Sequence, residues 1–93
     1  MFLHREYNTV PNLEGELEFA ILYEKGKGYV LIVIPVKRTK VGGFTMTESG
    51  AYTGYRMTVV PAERRSKANL DKSIQYINTN KETLISNYVK MHQ

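Results

Sequence analysis

The chain has 93 residues, 42% of them hydrophobic and 24% charged, which is the composition of a single globular domain and excludes a fibrous repeat or a disordered chain. It contains no cysteine, which excludes a disulfide framework and a thiolate metal site. Its longest apolar run is about ten residues short of a membrane span, and its N-terminus lacks the pattern of a signal peptide, so we expect a cytoplasmic protein with no membrane contact.

The net charge of +4 is unevenly distributed along the chain. Residues 1–24 contain one basic and five acidic side chains, whereas residues 25–93 contain twelve basic and four acidic ones. This asymmetry favours a basic surface that binds nucleic acid or an acidic protein surface. The alternative is that an acidic strand lies beside a basic one and the charges pair within the molecule.

Residues 1–14 show no regular period and are interpreted as an N-terminal arm with room for a short strand at 2–7. From Gly15 onward, apolar and acidic residues alternate as in a strand with one buried face. The glycine-containing turn at 26–28 then predicts an antiparallel hairpin between strands 15–24 and 28–37. The apolar run Tyr29–Val36 makes the second of these the central strand, with Pro35 marking its end or a bulge.

The segment 37–43 is basic and contains two glycines, and we interpret it as a mobile loop between strands. Alternating residues at 44–47 and 51–60 predict the third and fourth strands, separated by a turn at 48–50. Gly54 lies inside the last strand and indicates a bulge or a close approach of another backbone segment.

Two helices are predicted to follow Pro61, the first over Ala62–Ile77. The tetrapeptide Thr79-Asn80-Lys81-Glu82 matches a capping box, which predicts that the second helix starts near Asn80. The resulting fold class is α+β, with an antiparallel sheet of about four strands followed by two C-terminal helices packed on one sheet face. The whole chain, 1–93, is one domain, divided into the arm at 1–14, the sheet at 15–60 and the helices at 61–93.

Catalytic and metal-binding patterns are weak in this sequence. Glu14, Glu16 and Glu18 share one face of a strand and could in principle hold a magnesium ion, but a solvated or ion-paired row is the simpler interpretation. His4 and His92 lie near opposite ends of the chain, and no serine stands in a nucleophile motif. We therefore predict a protein that is not an enzyme and that uses no metal or cofactor.

The most informative functional pattern combines basic residues with tyrosines. Tyr52 and Arg56 have the same strand parity, so one sheet face could present a ring and a guanidinium to single-stranded nucleic acid. The alternative is that the tyrosines are half-buried and the cations only keep the protein soluble. The predicted binding residues are Lys37, Arg38, Lys40, Tyr52, Arg56, Arg64, Arg65 and Lys67.

A second function fits the same surface. Tyrosine and arginine are also enriched in protein interfaces, so the chain could be a protein-binding inhibitor or accessory module. A homodimer that buries one sheet face or the final helix is compatible with either function, because a chain of this length has a thin core. The leading hypothesis remains a small, non-enzymatic binding protein for single-stranded nucleic acid.

Overall fold

A computed structural model describes residues 2–10, 15–49 and 54–91 of the chain, with only the backbone described for 38–41 and 44–49. The elements within these ranges are β1 (His4–Thr9), β2 (Glu16–Glu24), β3 (Gly28–Val41), β4 (Phe44–Ser49), β5 (Tyr55–Val60) and α1 (Lys67–Met91). The strands form one antiparallel sheet in the order β1-β2-β3-β4, and β5 also pairs with β3. The predicted α+β class and the antiparallel sheet are confirmed.

The hairpin of β2 and β3 is the framework of the sheet. Its register pairs Glu24 with Gly28 and Phe19 with Val33, as the alternation and the glycine turn predict. On the face that packs against the helix, β2 and β3 contribute Leu17, Phe19, Ile21, Tyr29, Leu31 and Val33. The opposite face is named the open face; its β2 and β3 positions are Glu16, Glu18, Ala20, Leu22, Glu24, Val30, Ile32, Ile34 and Val36.

Strand β3 is longer than predicted. It runs to Val41 without a loop at 37–43, because β4 pairs with Val36–Val41 and only Gly42 and Gly43 form the turn. Both glycines have positive φ, 58° and 86°, which suits a two-residue hairpin turn. The predicted mobile loop is therefore wrong: its basic residues belong to the part of β3 that pairs with β4.

Strands β4 and β5 both pair with the edge of β3 that faces away from β2. The pairing ends at Val36 for β4 and resumes at Val33 for β5, so the interruption falls at Ile34 and Pro35. Pro35 has no amide hydrogen to donate, and the ladder is interrupted at this residue. The predicted close approach at Gly54 is also found, since a Cβ atom there would overlap the carbonyl oxygen of Val33.

Helix α1 is one continuous helix, so the prediction of two helices is wrong. Thr79 is exposed in the interior of α1, where the capping-box residues occupy ordinary helical positions. The observed N-cap is Ser66, whose Oγ accepts a hydrogen bond of 3.2 Å from the backbone N–H of Asn69. A capping box uses polar residues that are equally acceptable on a solvated helix face, so the pattern does not by itself require a break.

The helix covers one face of the sheet. Its buried residues Ile77, Leu84 and Tyr88 join the apolar row of β2 and β3 in a single core cluster. The hydroxyl of Tyr55, on β5, donates a 3.2 Å hydrogen bond to the carbonyl oxygen of Leu84 and links the sheet to the helix. Over the described residues, no helix packs on the open face.

Candidate anion-binding site

A close packing of two connections forms one corner of the molecule. The turn between β2 and β3 meets the segment that joins β5 to α1 at Gly28, which has a φ of 113°. A Cβ atom at this position would overlap the carbonyl oxygen of Val60 and lie 2.5 Å from the backbone nitrogen of Ala62. Only glycine fits both the conformation and the space. We name this region the corner; it consists of Tyr23, Lys25, Gly28, Tyr29 and residues 61–67.

Two tyrosines hold the backbone of the corner in place. The hydroxyl of Tyr23 donates a 2.7 Å hydrogen bond to the carbonyl oxygen of Glu63. The hydroxyl of Tyr29 donates to the carbonyl oxygen of Ser66 at 2.9 Å and accepts from its backbone N–H at 2.8 Å. The two rings stack on each other with centroids 5.4 Å apart. The segment before α1 is thus fixed by side chains from the sheet, which preorganises the groups that it carries.

Four cations lie on this corner: Lys25, Arg64, Arg65 and Lys67. All four are exposed, and none forms an ion pair or a side-chain hydrogen bond with the residues that the structure describes. A cavity of about 400 Å³ is lined by the first three together with Tyr23 and Glu63. A second cavity of about 300 Å³ shares Arg65 and includes Ser66 and Lys67. The corner therefore presents several cations that form no ion pair with a described side chain, and Glu63 is the one carboxylate among the described residues that line the first cavity.

Among the described side chains of the strands, Arg5 and Arg56 are paired with carboxylates. The guanidinium of Arg5 lies 2.7 Å from Glu18, a carboxylate that is only 1% exposed, and this hydrogen bond is the main cause that raises the pKa of Arg5 above its usual value. Arg56 lies 2.8 Å from Glu24, which also has Lys27 at 3.6 Å. On these strands, the acidic and basic side chains largely neutralise each other.

The predicted binding residues fall into separate groups in the structure. Arg64, Arg65 and Lys67 come together at the corner, whereas Arg56 is on the open face and is paired with Glu24. The other three cations belong to the far end of β3. Ten residues separate Gly28 from Arg38, which corresponds to about 33 Å of strand. The members of this far group are Lys37, which is exposed, and Arg38 and Lys40, of which only the backbone is described.

Most of the described tyrosines pack on the helix side of the sheet. Tyr29 is 1% exposed and Tyr88 is 5% exposed, and both belong to the core. Tyr55 is half-buried, and burial, with a smaller contribution from Tyr76, raises its pKa above the usual value. Tyr52 lies outside the described residues. These packed tyrosines support the fold, and their rings are not arranged as a row on which successive bases could stack.

The other polar groups on the strands do not form a metal site. Within the described ranges, no group of three or more His, Asp or Glu side chains is placed to hold a metal ion. The carboxylate of Glu6, on β1, lies 3.7 Å from Lys81 and 3.9 Å from His4, an arrangement that connects the edge strand to the middle of α1. Glu14 and His92 lie outside the described residues.

Three residues that line the cavity of about 400 Å³ are not among the predicted binding residues: Tyr23, Lys25 and Glu63. In the sequence, Tyr23 continues the apolar alternation of a strand and Lys25 directly precedes the glycine-containing turn. Tyr23 and Lys25 lie beside Arg64 because two segments far apart in the chain pack together. The hydrogen bond between Tyr23 and Glu63, for example, joins residues that are 40 positions apart. Such a long-range contact has no local pattern in the sequence.

Among the described residues, no helix combines the length and the apolar character that crossing a membrane requires. No protein-family model matches this chain, and searches of curated proteins and of solved structures give no significant match. The functional interpretation therefore rests on the geometry of the chain itself.

Proposed function

We propose that this protein is a small, non-enzymatic binding protein that contacts single-stranded nucleic acid. The observation that carries the proposal is the corner, where four exposed cations that form no ion pair with a described side chain lie on a preorganised backbone. Phosphates bound there replace mobile counter-ions and do not have to break an ion pair first. The paired arginines of the open face would have to give up a carboxylate to bind the same ligand.

A second basic segment gives the surface the length of an oligonucleotide site. Lys37, Arg38 and Lys40 lie at the other end of β3, about 33 Å from the corner by the strand rise. Binding sites for single strands commonly extend over about 4–16 nucleotides, so one strand could contact both ends. Tyr52 and Arg56 remain the predicted contacts for bases between the two ends.

The experiment is a fluorescence-anisotropy titration of a labelled single-stranded oligonucleotide at low and at near-physiological salt. Arg64→Gln/Arg65→Gln is compared with Lys27→Gln/Lys81→Gln, which removes the same charge from cations that are paired with Glu24 and Glu6. We expect the plot of the logarithm of the binding constant against the logarithm of the salt concentration to become less steep by about 1.4 in the corner variant. Each phosphate contact to a single strand contributes about 0.7 to this slope. The matched variant should change binding little.

Two outcomes contradict the proposal. No binding at low salt would eliminate nucleic acid as the ligand. Equal losses for the two double variants would show that only net charge matters and that the corner is not a site. Binding that occurs with an acidic protein and hardly changes with salt would instead favour the second function.

That second function is a protein-binding inhibitor or accessory module. The observation in its favour is the apolar row on the open face, where Leu22, Ile32 and Ile34 are partly exposed, although Ala20, Val30 and Val36 on the same face are buried. Such a row, bordered by the Arg5–Glu18 and Arg56–Glu24 pairs, resembles the apolar centre and charged rim of an interface. A second copy of the chain could also cover this face, which is the homodimer that the sequence allows, and sedimentation would detect it. A cytoplasmic location and the absence of a cofactor remain predictions.

A further inference from the structure

We infer that the cavity of about 400 Å³ at the corner binds a phosphomonoester, the terminal phosphate of a nucleic acid strand or of a mononucleotide. This inference rests on the proposed function, because it assigns a specific role to the same corner. It adds that the cavity recognises the end of a strand and not merely its backbone.

The charges that line the cavity match a dianion. Lys25, Arg64 and Arg65 supply three positive charges, and Glu63 supplies one negative charge. The balance of +2 corresponds to a phosphomonoester, which carries about −1.5 to −2 at pH 7. An internal phosphodiester carries only one negative charge and would neutralise only half of the net charge of the cavity. Glu63 would also repel a second phosphate that approached the same cavity.

The geometry of the cavity fits one nucleotide. Its cations come from two connections, Lys25 from the turn after β2 and the two arginines from the segment before α1, so they can surround a phosphate from different sides. Arginine forms paired hydrogen bonds with phosphate oxygens, which favours a terminal group with three free oxygens. The ring of Tyr23 lines the same space and offers an apolar wall to the sugar or base.

The adjoining cavity offers a place for the part of the nucleic acid that follows the terminal phosphate. Arg65 lines both cavities, and the second one continues toward Lys67 and the apolar side chains of Leu3 and Leu70. A strand whose terminal phosphate occupies the first cavity would bring its next phosphate near Lys67. The cavity volumes, about 400 and 300 Å³, are in the range of sites for single small ligands.

The test compares oligonucleotides of one sequence that end in a 5′-phosphate, in a 3′-phosphate or in hydroxyls, and titrates a nucleoside monophosphate against the free nucleoside. Anisotropy measures the oligonucleotides and NMR chemical shifts of the protein measure the nucleotides. We expect about tenfold tighter binding for one phosphorylated end, as charge-assisted hydrogen bonds allow. This preference should weaken at pH 5, because the second pKa of the phosphate is about 6.

Single substitutions distinguish binding in the cavity from a general effect of net charge. Arg64→Gln should abolish the preference for the phosphorylated end, whereas Arg56→Gln, which removes an equal charge from the open face, should retain it. Glu63→Gln should reduce the preference by allowing a phosphodiester to bind more strongly. A preference that survives Arg64→Gln would overturn the inference.

The outcomes distinguish this inference from the proposed function. Equal binding of phosphorylated and hydroxyl ends overturns the inference and leaves nucleic-acid binding intact. Shifts of corner resonances with the monophosphate, together with no binding of the hydroxyl-ended oligonucleotide, support the inference and contradict binding along a strand. No response to the monophosphate and no gain from a terminal phosphate overturn it.

Discussion

The corner and the open face both present arginine to solvent, but they use it differently. On the open face, Arg5 and Arg56 each lie within 3 Å of a carboxylate oxygen, at 2.7 and 2.8 Å. At the corner, Arg64 and Arg65 have no such partner among the described side chains. The number of cations in a segment therefore does not identify a binding surface. A cation that is already paired with a carboxylate is less available to bind an anionic ligand.

The difference has a structural cause. On the strands, antiparallel pairing places Arg5 opposite Ala20, on the same face as Glu18, and so brings its guanidinium within reach of that carboxylate. The corner is built from two connections, whose side chains have no cross-strand neighbour. It is therefore a region where cations can stay available for a ligand.

The largest expected effect comes from Gly28→Ala. The added methyl group would overlap the backbone of the segment before α1, and the residue would be held at a φ of 113°. We expect a loss of about 3 kcal/mol in the free energy of unfolding and a loss of anion binding at the corner. Gly26→Ala is the control, because its φ is 90° but no atom lies within 4 Å of the new methyl group. It should cost about 1 kcal/mol, and urea denaturation measures both. Equal losses would show that close packing at the corner is unimportant.

The second test removes one paired arginine and one unpaired arginine, each in a separate variant. Arg5→Met removes the counter-ion of the buried Glu18 and should lower the urea midpoint, since a buried carboxylate is left without its partner. Arg64→Met removes an unpaired, exposed cation and should leave the midpoint unchanged while weakening anion binding. If Arg64→Met destabilised the protein as much as Arg5→Met, the distinction between the two regions would be wrong.

A third test removes one hydroxyl from the support of the corner. Tyr29→Phe deletes the oxygen that both donates to and accepts from the backbone of Ser66. We expect a loss of about 1–2 kcal/mol, because the N–H of Ser66 loses its acceptor and the carbonyl oxygen of Ser66 keeps only the hydrogen bond from the N–H of Leu70. Tyr23→Phe removes a more exposed hydrogen bond to Glu63 and should cost less. Urea denaturation of both variants checks the order, and a smaller effect for Tyr29 would contradict this account of the corner.

The sheet was largely predictable because its signals are local. Alternation in β2, the glycine turn and the apolar run of β3 fix the hairpin and the residues that face the core. The length of β3 was not predictable, since the basic residues after Val36 resemble a loop until their pairing with β4 is known. The corner depends on the hydrogen bond between Tyr23 and Glu63, and no pattern within either segment indicates such a contact.

Helix continuity was mispredicted for a related reason, and Thr79→Ala tests the correction. In a helix that starts near Asn80, loss of the capping threonine would cost about 1 kcal/mol. In the continuous α1, residue 79 is an exposed interior position, where alanine is favoured over threonine by about 0.5 kcal/mol. We therefore expect a small increase in stability. A decrease in stability would mean that the helix breaks near residue 79. A second helix N-terminus would then compete with the corner for an anionic ligand.

The smallest effect is expected from pH, at a residue that belongs to neither region. Burial raises the pKa of Tyr55 above the usual value of about 10, so the folded state holds this proton more tightly than the unfolded chain does. The resulting contribution to stability is complete below about pH 10 and is lost as the pH rises through the folded pKa. Tyr55→Phe should remove this part of the alkaline decline, which urea denaturation from pH 8 to 11 would show as a shallower slope. An unchanged slope would mean that Tyr55 titrates alike in the folded and unfolded states and that burial does not hold its proton.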